Sequence, residues 1–175
     1  MPGSAELFGR FPNATFVETG SYLGDGIQAA LDAGFRRVVS IELSDKYFGI
    51  CSTRFANDPR VTLIQGDSAV ALAQVLEGLQ EPATFWLDGH WSAGDTARGP
   101  VTVPLLHEIR AIAAHPIKGN TLLIDDMRCW KTFNPVHGFE EKDIFVQLQA
   151  LGSFTHEFVD SPHAPNDVLV VRQTS

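Results

Sequence analysis

The sequence predicts an α/β fold in which a mainly parallel, seven-stranded sheet carries helices on both faces. Short apolar runs alternate with helical patterns along the chain, which is typical of parallel strands joined by crossover helices. The first such unit, Phe16–Ile27, reads as a strand, a glycine-rich turn and the start of a helix. The last two apolar runs are joined by the turn-rich segment SPHAPND, which predicts an antiparallel hairpin at the sheet edge.

Each strand is expected where a short apolar run ends in a turn or an acid. The strands of the parallel part are predicted at Thr15–Glu18, Val38–Glu42, Val61–Gln65, Thr84–Leu87 and Thr121–Ile124. The hairpin strands are predicted at Phe154–Val159 and Val168–Arg172.

Helices are expected between these strands, and one short helix is expected before Thr15. In the fourth of them, the spacing of Leu105, Ile109 and Ile112 predicts the buried face. Glu108 and Arg110 are expected to turn away from that face. The predicted helices are Gly26–Ala33, Lys46–Ala56, Ala69–Leu79, Val103–Ala114 and Glu141–Leu151.

Composition and charge indicate a single globular domain and argue against some kinds of partner. A chain of 175 residues, 44% hydrophobic and 19% charged, fits a single domain spanning residues 1–175. A net charge of −8 with scattered Lys and Arg argues against nucleic acid as a partner. We also expect no membrane association, because no apolar run is long enough to span a bilayer and no leader precedes the first strand. Two cysteines, Cys51 and Cys129, are read as reduced thiols in a cytoplasmic protein.

The glycine turn after the first strand predicts the cofactor. Glu18 ends that strand, and Gly20, Gly24 and Gly26 follow before the helix. A pyrophosphate resting on the helix N-terminus would be repelled by this acid, which disfavours NAD. S-adenosylmethionine has no phosphate and carries an ammonium and a sulfonium, so Glu18 suits it. A glycine turn alone is weak evidence, since tight turns need glycine for steric reasons.

Acids at the ends of the next two strands strengthen this prediction. Glu42 ends the second strand, where an acid would meet the ribose hydroxyls. The third strand runs into Gly66-Asp67-Ser68, which is placed to reach the adenine. The alternative interpretation is that Glu42 and Asp67 only cap the helices that follow them.

Three further acids predict a metal site. Asp88 follows the fourth strand, and Asp125 and Asp126 follow the fifth. Neighbouring parallel strands would bring these carboxylates within a few ångströms, where like charges repel and raise at least one pKa. A divalent cation relieves that repulsion, and all-oxygen ligation favours a hard ion such as Mg²⁺. Alternatively, Asp125 caps a turn and Asp88 is an ordinary loop acid.

On these motifs the chain resembles class I S-adenosylmethionine-dependent O-methyltransferases of the metal-dependent kind, and it is similar to the catechol and macrocin (sugar) enzymes. The resemblance runs from Phe16 to Met127 and rests on the segments ETGSYLGDG, IELS, QGDS, LDGH and LIDD. It implies a Rossmann-like fold, S-adenosylmethionine and Mg²⁺ as cofactors, and the metal ligands Asp88, Asp125 and Asp126. The cofactor residues that it implies are Glu18, Gly20, Ser21, Tyr22, Gly24, Glu42, Asp67, Ser68 and Asp88.

The chain also departs from that family. His90 stands where the sugar enzymes have another acid, and Trp91 stands at the base position that is lysine in the catechol enzymes. The N-terminal helices that build the substrate pocket in the family are missing, and a homodimer could supply that wall.

Catalytic and acceptor residues are predicted around the metal acids. His90 is the candidate general base, acting beside Asp88, because a histidine two residues past a metal carboxylate can take a hydroxyl proton near neutral pH. A metal ligand and a solvated loop histidine are the alternatives. Trp91 is a candidate platform for a sugar or an aromatic ring, or it packs on the sheet. Trp130 and His137, with Phe133, are predicted to line the acceptor pocket beneath a lid formed by residues 128–140.

These observations predict metal-assisted O-methylation of a small molecule that carries vicinal oxygens, as in a sugar or a catechol. Two alternatives remain open. One is a metal-independent methyltransferase acting on another small molecule or a protein, and the other is a non-catalytic S-adenosylmethionine-binding module.

Overall fold

A computed structural model of the chain describes residues 3–89, 99, 103–133 and 135–174. All seven predicted strands are present in this part of the chain, and each boundary agrees with the prediction to within one residue. The strands are β1 (Thr15–Thr19), β2 (Arg37–Glu42), β3 (Val61–Gln65), β4 (Ala83–Leu87), β5 (Thr121–Ile124), β6 (Phe154–Val159) and β7 (Val168–Gln173).

The helices also follow the prediction, with small changes at their ends. The helix expected from Val103 begins at Leu105, after Pro104, and the last helix gives way after Leu148 to a 3₁₀ turn that ends at Leu151. Ser4, Ser44 and Asp67 cap the helices that begin one residue later by accepting a backbone hydrogen bond from the first turn. The helices are α1 (Ala5–Gly9), α2 (Asp25–Asp32), α3 (Asp45–Arg54), α4 (Ser68–Glu77), α5 (Leu105–Ala114) and α6 (Glu141–Leu148).

The strands form one sheet in the order β3-β2-β1-β4-β5-β7-β6. The strands β1 to β5 pair in parallel, whereas β7 runs antiparallel to both β5 and β6. The predicted hairpin is therefore confirmed, with β6 at the edge. Because β1 and β4 are neighbours although β2 and β3 follow β1 in sequence, the strand order reverses between them, and ligands of open α/β sheets bind at such a point.

Both faces of the sheet are covered by apolar side chains from the helices. Alternate residues of β5 belong to different hydrophobic clusters: Leu122 and Ile124 to one, Leu123 to the other. This alternation is the period-two geometry of a strand buried on both sides. One cluster draws on α4, α5 and α6, and the other draws on α1, α2 and α3.

Glu108 corrects one prediction. It was expected to turn away from the core, yet it is 1% exposed. Glu108 lies three residues after Leu105 and four before Ile112, so helical geometry places it on their buried face. The charge of the residue misdirected the prediction, and the spacing would have indicated the right face.

None of the described helices has the length and apolar character that crossing a bilayer requires.

Candidate functional site

The glycine turn after β1 packs directly against the end of β4. Gly20 has φ +88°, and its amide donates to the carbonyl of Ile41 at 2.9 Å. A Cβ at position 20 would lie 2.6 Å from the carbonyl oxygen of Asp88. The left-handed backbone and this close approach both require glycine. The turn therefore joins the ends of β1, β2 and β4 at the point where strand order reverses.

Glu18 lies beneath that turn and is 2% exposed. Its Oε2 accepts a hydrogen bond of 2.5 Å from Ser40, whose hydroxyl also lies 2.6 Å from that of Ser21. A Cβ at position 26 would lie 1.9 Å from Glu18 Oε1, so Gly26 makes room for the carboxyl at the start of α2. Burial raises the pKa of Glu18 to about 8, and the bond from Ser40 opposes that rise. Contact between Glu18 and a cofactor stays a prediction.

Glu42 fixes the shape of the turn. Its Oε2 accepts from the amide of Tyr22 at 2.9 Å, and its Oε1 accepts from the amide of Ser44 at 2.7 Å. Tyr22 has φ +48°, a backbone conformation that costs energy outside glycine and is common at binding sites. Each oxygen of Glu42 can accept a further hydrogen bond, so the predicted ribose contact is compatible with these bonds.

Asp67 caps α4, as the alternative interpretation of this residue expected. Its Oδ1 accepts from the amide of Ala69 at 2.9 Å. Glu42 does not cap α3, because Ser44 holds that position. A Cβ at Gly99 would lie 2.9 Å from Asp67 Oδ2, so the second oxygen faces that residue. The adenine contacts predicted for Asp67 and Ser68 stay predictions.

Asp88, Asp125 and Asp126 come together as predicted, because β4 and β5 end at the same edge of the sheet. Each offers a carboxylate oxygen, and these oxygens lie within 4.8 Å of one another. Neither side-chain oxygen of Asp125 has a hydrogen-bond partner among the described residues, although both are buried. Buried carboxylates lacking such partners are costly, and a hard cation satisfies oxygen ligands of this kind. The three acids therefore fit a divalent cation.

The three acids of this cluster repel one another. Burial raises the pKa of Asp125 to about 8, and the charge of Asp126 adds to the rise. The pKa of Asp88 is raised well above its usual range, first by burial and then by Asp125 and Asp126. Glu18 and Glu108 raise it further. The raised pKa values show that burial and repulsion disfavour the ionised acids, and a bound cation would stabilise that ionised form.

Glu108 is a site residue that the sequence prediction missed. A Cβ at Gly89, directly after Asp88, would lie 3.2 Å from Glu108 Oε1 and 3.1 Å from Ser68 Oγ. The carboxylate of Glu108 therefore lies beside the backbone that carries Asp88. It also faces the same glycine as Ser68, which the sequence assigns to the adenine side.

Arg128 and Asp167 were also missed. Arg128 Nη1 lies 2.6 Å from Asp126 Oδ1, and it also pairs with Asp167, whose side chain is fully buried. These charges raise the pKa of Arg128 above its usual value against the opposing effect of partial burial. Asp167 comes from the turn between β6 and β7, so the hairpin contributes to the site.

Two of the residues predicted to line the acceptor pocket, Trp130 and His137, contact each other in the segment that follows the acids. Trp130 is 1% exposed, stacks on Phe139 at 5.0 Å between ring centroids, and meets His137 edge-on at 5.0 Å. Its Nε1 lies 3.4 Å from the carbonyl oxygen of Asp125. Trp130 therefore packs as a core residue that supports Asp125, and its contact with an acceptor stays a prediction, as does that of His137.

A groove of about 520 Å³ opens between α5 and α6, and Phe133 and Phe139 lie on its wall with Arg110 and Lys142. Phe133 is 57% exposed there. Neither Trp130 nor His137 is among the described residues that line this groove.

His90 and Trp91 lie outside the described residues. Their predicted roles, as general base and as acceptor platform, rest on the sequence alone.

No protein-family model and no curated protein matches the sequence. Solved structures do match. An O-methyltransferase from Bacillus cereus, solved with SAH, aligns at a TM-score of 0.72 and 15% identity over 97% of this chain and 78% of that one. CalS10, an amino pentose methyltransferase from Micromonospora echinaspora involved in calicheamicin biosynthesis and solved with SAM bound, aligns at 0.62 and 14% identity over 97% and 88%. A candidate rRNA methylase from Clostridium thermocellum aligns at 0.61 and 17% identity over 97% and 94%. At such identities the likeness shows the fold, which is the Rossmann-like class I methyltransferase fold that the sequence predicts.

Proposed function

We propose that this chain is an S-adenosylmethionine-dependent methyltransferase that methylates a hydroxyl group of a small molecule with the help of a divalent cation. The class I methyltransferase fold supports the first part of this proposal. The observation that carries the second part is the buried carboxylate of Asp125, which has no hydrogen-bond partner among the described residues and lies beside Asp88 and Asp126.

The cofactor would lie across the ends of β1, β2 and β3. Glu42 would accept hydrogen bonds from the ribose hydroxyls. Asp67 and Ser68 would contact the adenine. The turn from Gly20 to Gly24, with Ser21 and Tyr22, would carry the methionine portion above the buried Glu18. The left-handed backbone at Gly20 and Tyr22 supports this assignment, because it folds the turn back over the strand ends.

Asp88, Asp125 and Asp126 would hold the cation, and Mg²⁺ is the ion that this all-oxygen set favours. Bound there, the ion would lower the pKa of an acceptor hydroxyl. His90 would take the hydroxyl proton on a ring nitrogen, an assignment that rests on its sequence position two residues after Asp88.

The substrate class follows from the number of positions that three carboxylates leave open on a six-coordinate ion. A pair of neighbouring oxygens on the acceptor would chelate at such positions, which favours a vicinal diol of a sugar or a catechol. The acids would then fix the nucleophilic oxygen relative to the cofactor, and positioning of this kind supplies much of the acceleration in group transfer.

Calorimetry with S-adenosylhomocysteine tests the cofactor assignment. Glu42→Ala should weaken binding by roughly 1.5–3 kcal/mol, because the ribose hydroxyls lose their acceptor. Glu77→Ala, at an exposed acid on α4, is the matched control and should bind like the parent. A melting curve for each variant separates lost binding from lost folding, since Glu42 also holds the turn. Tight binding of NAD with no response to S-adenosylhomocysteine would overturn the proposal.

The metal assignment has its own test. Methyl transfer from S-adenosylmethionine to a catechol and to a sugar diol should stop in EDTA and return with excess Mg²⁺. Activity that persists in the chelator would indicate a metal-independent methyltransferase. Cofactor binding without transfer to any diol or protein acceptor would instead favour a binding module.

A further inference from the structure

The segment after β5 is tied to the turn that precedes β7. Because β7 runs antiparallel to β5, with Ile124 opposite Leu169, the residues just before β7 lie beside those just after β5. Asp167 immediately precedes β7, and Asp126 lies two residues after the end of β5. The topology of the sheet thus brings a residue of the C-terminal hairpin to the acid cluster.

Asp167 holds this segment through its backbone and its side chain. Its carbonyl accepts from the amide of Met127 at 2.8 Å, and its Oδ1 accepts from the amide of Arg128 at 3.0 Å. Its Oδ2 accepts from the Arg128 guanidinium and, at 2.6 Å, from the hydroxyl of Ser161. The side chain of Asp167 is fully buried, so Arg128 is anchored on a charge that cannot turn to solvent.

Arg128 in turn holds Asp126. Its Nη1 lies 2.6 Å from Asp126 Oδ1, and the Asp126 side chain is 13% exposed. Asp126 has φ +59°, a left-handed conformation that a non-glycine residue keeps only when its surroundings enforce it. The amide of Cys129 donates to the Asp126 carbonyl at 2.8 Å and so closes the turn. Backbone and side chain of Asp126 are both fixed by this network.

We propose that Arg128 and Asp167 are positioning residues that orient the Asp126 carboxylate for the cation, so that the β6–β7 hairpin is a working part of the site. The inference rests on the proposed metal-assisted function. A carboxylate can give one oxygen to a metal while the other accepts a hydrogen bond, and outer partners of this kind change metal affinity by about 10–100-fold. The planar guanidinium can serve both acids at once, which an ammonium on a flexible stem cannot do as well.

A different effect of the same arginine predicts the opposite result. As a positive charge beside the acids, Arg128 repels a cation, and its removal would tighten metal binding if charge alone mattered. The two effects therefore differ in sign for Arg128→Met. If Arg128 is a positioning residue, the metal affinity lost when Asp126 is no longer oriented exceeds the affinity gained by removing the positive charge.

The test is a Mg²⁺ titration of the full chain by calorimetry, with the melting temperature of the metal-free protein measured beside it. Asp167→Asn places an amide NH₂ against the guanidinium, Arg128→Lys keeps the charge without the planar fork, and Arg128→Met removes both. We expect each variant to bind Mg²⁺ about 10–100-fold more weakly than the parent.

Two controls separate this role from general stability. Ser161→Ala loosens the same turn but leaves the Arg128–Asp167 pair in place, so its melting temperature should fall while its Mg²⁺ affinity stays within about threefold of the parent. Arg60→Met removes an equal charge from an arginine paired with Asp58 on the surface, and it should change neither quantity much.

Each outcome decides the matter. A parent that shows no response to Mg²⁺ overturns the proposed metal-assisted function and this inference with it. A parent that binds Mg²⁺, with variants that bind it equally well or more tightly, overturns the inference alone. Should Asp167→Asn fail to fold, the two Arg128 variants still give the sign of the effect.

Discussion

Glu18 is a buried acid whose pKa differs between the folded and the unfolded chain. In the fold it is raised to about 8 from an ordinary value of 4.5, chiefly by burial. Between pH 4.5 and about 8, the folded state therefore keeps a proton on Glu18 that the unfolded state has lost. The stabilising contribution is fully present below pH 4.5 and disappears as the pH rises through 8, at up to about 1.4 kcal/mol per pH unit.

We expect Glu18→Gln, which mimics the protonated acid, to remove this dependence. In EDTA, the parent and the variant should have similar free energies of unfolding near pH 5, and the variant should be more stable by a few kcal/mol near pH 8. Urea unfolding at several pH values measures the difference, and Glu6→Gln, at an exposed acid of α1, is the control. Parallel stability curves for parent and Glu18→Gln would mean that Glu18 is ionised in the fold.

Asp125 should show opposite effects on stability and on metal binding. Above pH 8, where Asp125 is ionised despite its raised pKa, Asp125→Asn removes a buried charge that Asp88 and Asp126 repel, so the metal-free protein should gain about 1 kcal/mol, or about 2–4 °C in melting temperature. The same change removes one of the proposed metal ligands, so Mg²⁺ should no longer raise the melting temperature. Thermal unfolding with and without Mg²⁺ checks both signs, with Asp32→Asn on the exposed side of α2 as control. If Asp125→Asn has a lower melting temperature and Mg²⁺ does not change that of the parent, Asp125 has a structural role.

Single residues differed in how far the sequence revealed them. The meeting of Asp88 with Asp125 and Asp126 was predictable, because each follows an apolar strand and parallel strands share one carboxyl edge. Glu108 was misplaced because a charged residue is rarely buried, although its spacing from Leu105 pointed inward. The charge of Glu108 wrongly indicated an exposed side chain, whereas its position in the helical period indicates a buried one.

At the scale of elements, the turn between β1 and α2 depends on contact as well as on backbone conformation. Gly20 and Gly34 both have positive φ, of 88° and 92°. A Cβ at position 20 would lie 2.6 Å from the Asp88 carbonyl oxygen, whereas a Cβ at position 34 would meet nothing within 4 Å. The two glycines therefore share a left-handed backbone, but only Gly20 also lies close to the backbone of another segment.

We expect Gly34→Ala to cost about 1–2 kcal/mol from backbone strain alone. Gly20→Ala should cost at least about 2 kcal/mol more, because the methyl group displaces backbone of β4, and it should also weaken S-adenosylhomocysteine binding. Urea unfolding and calorimetry measure the two effects. Equal costs for the two substitutions would show that β4 yields easily and that the close approach is unimportant.

The elements themselves were readable because each carries a local signal. The apolar runs at β1 to β5 and the caps at Ser44 and Asp67 are features of consecutive residues. Asp167 has no such signal. Its partner Arg128 is 39 residues away, and the two meet only because β7 pairs with β5. Contacts that depend on strand order stay hidden until the topology is known.

At the scale of the whole molecule, the sheet should be most stable at its centre. Every residue of β1 and β4 is buried, and each of these strands is paired on both sides. Within the described part of the chain, the edge strand β6 pairs only with β7, and it is partly exposed along its length. Local opening of such an edge needs less free energy than unfolding of the core.

Native-state hydrogen exchange tests this gradient. The amides of β1 and β4 should exchange only through global unfolding, with protection that follows the free energy of unfolding as urea is added. The bonded amides of β6 should exchange through smaller openings that urea hardly affects. Equal protection in β6 and β1 would indicate that the edge is covered, as it would be in a dimer that pairs through β6.

The position of β7 also sets the order in which the molecule can be completed during synthesis. Asp126 and Arg128 leave the ribosome well before Asp167, and 39 residues separate the last two. At about 5–20 residues per second, this interval lasts roughly 2–8 s. Until β7 enters between β5 and β6, Met127 and Arg128 lack their partner Asp167, and β6 lacks the strand with which it pairs. A nascent chain would therefore carry all three acids of the cluster for several seconds before the network that orients Asp126 exists.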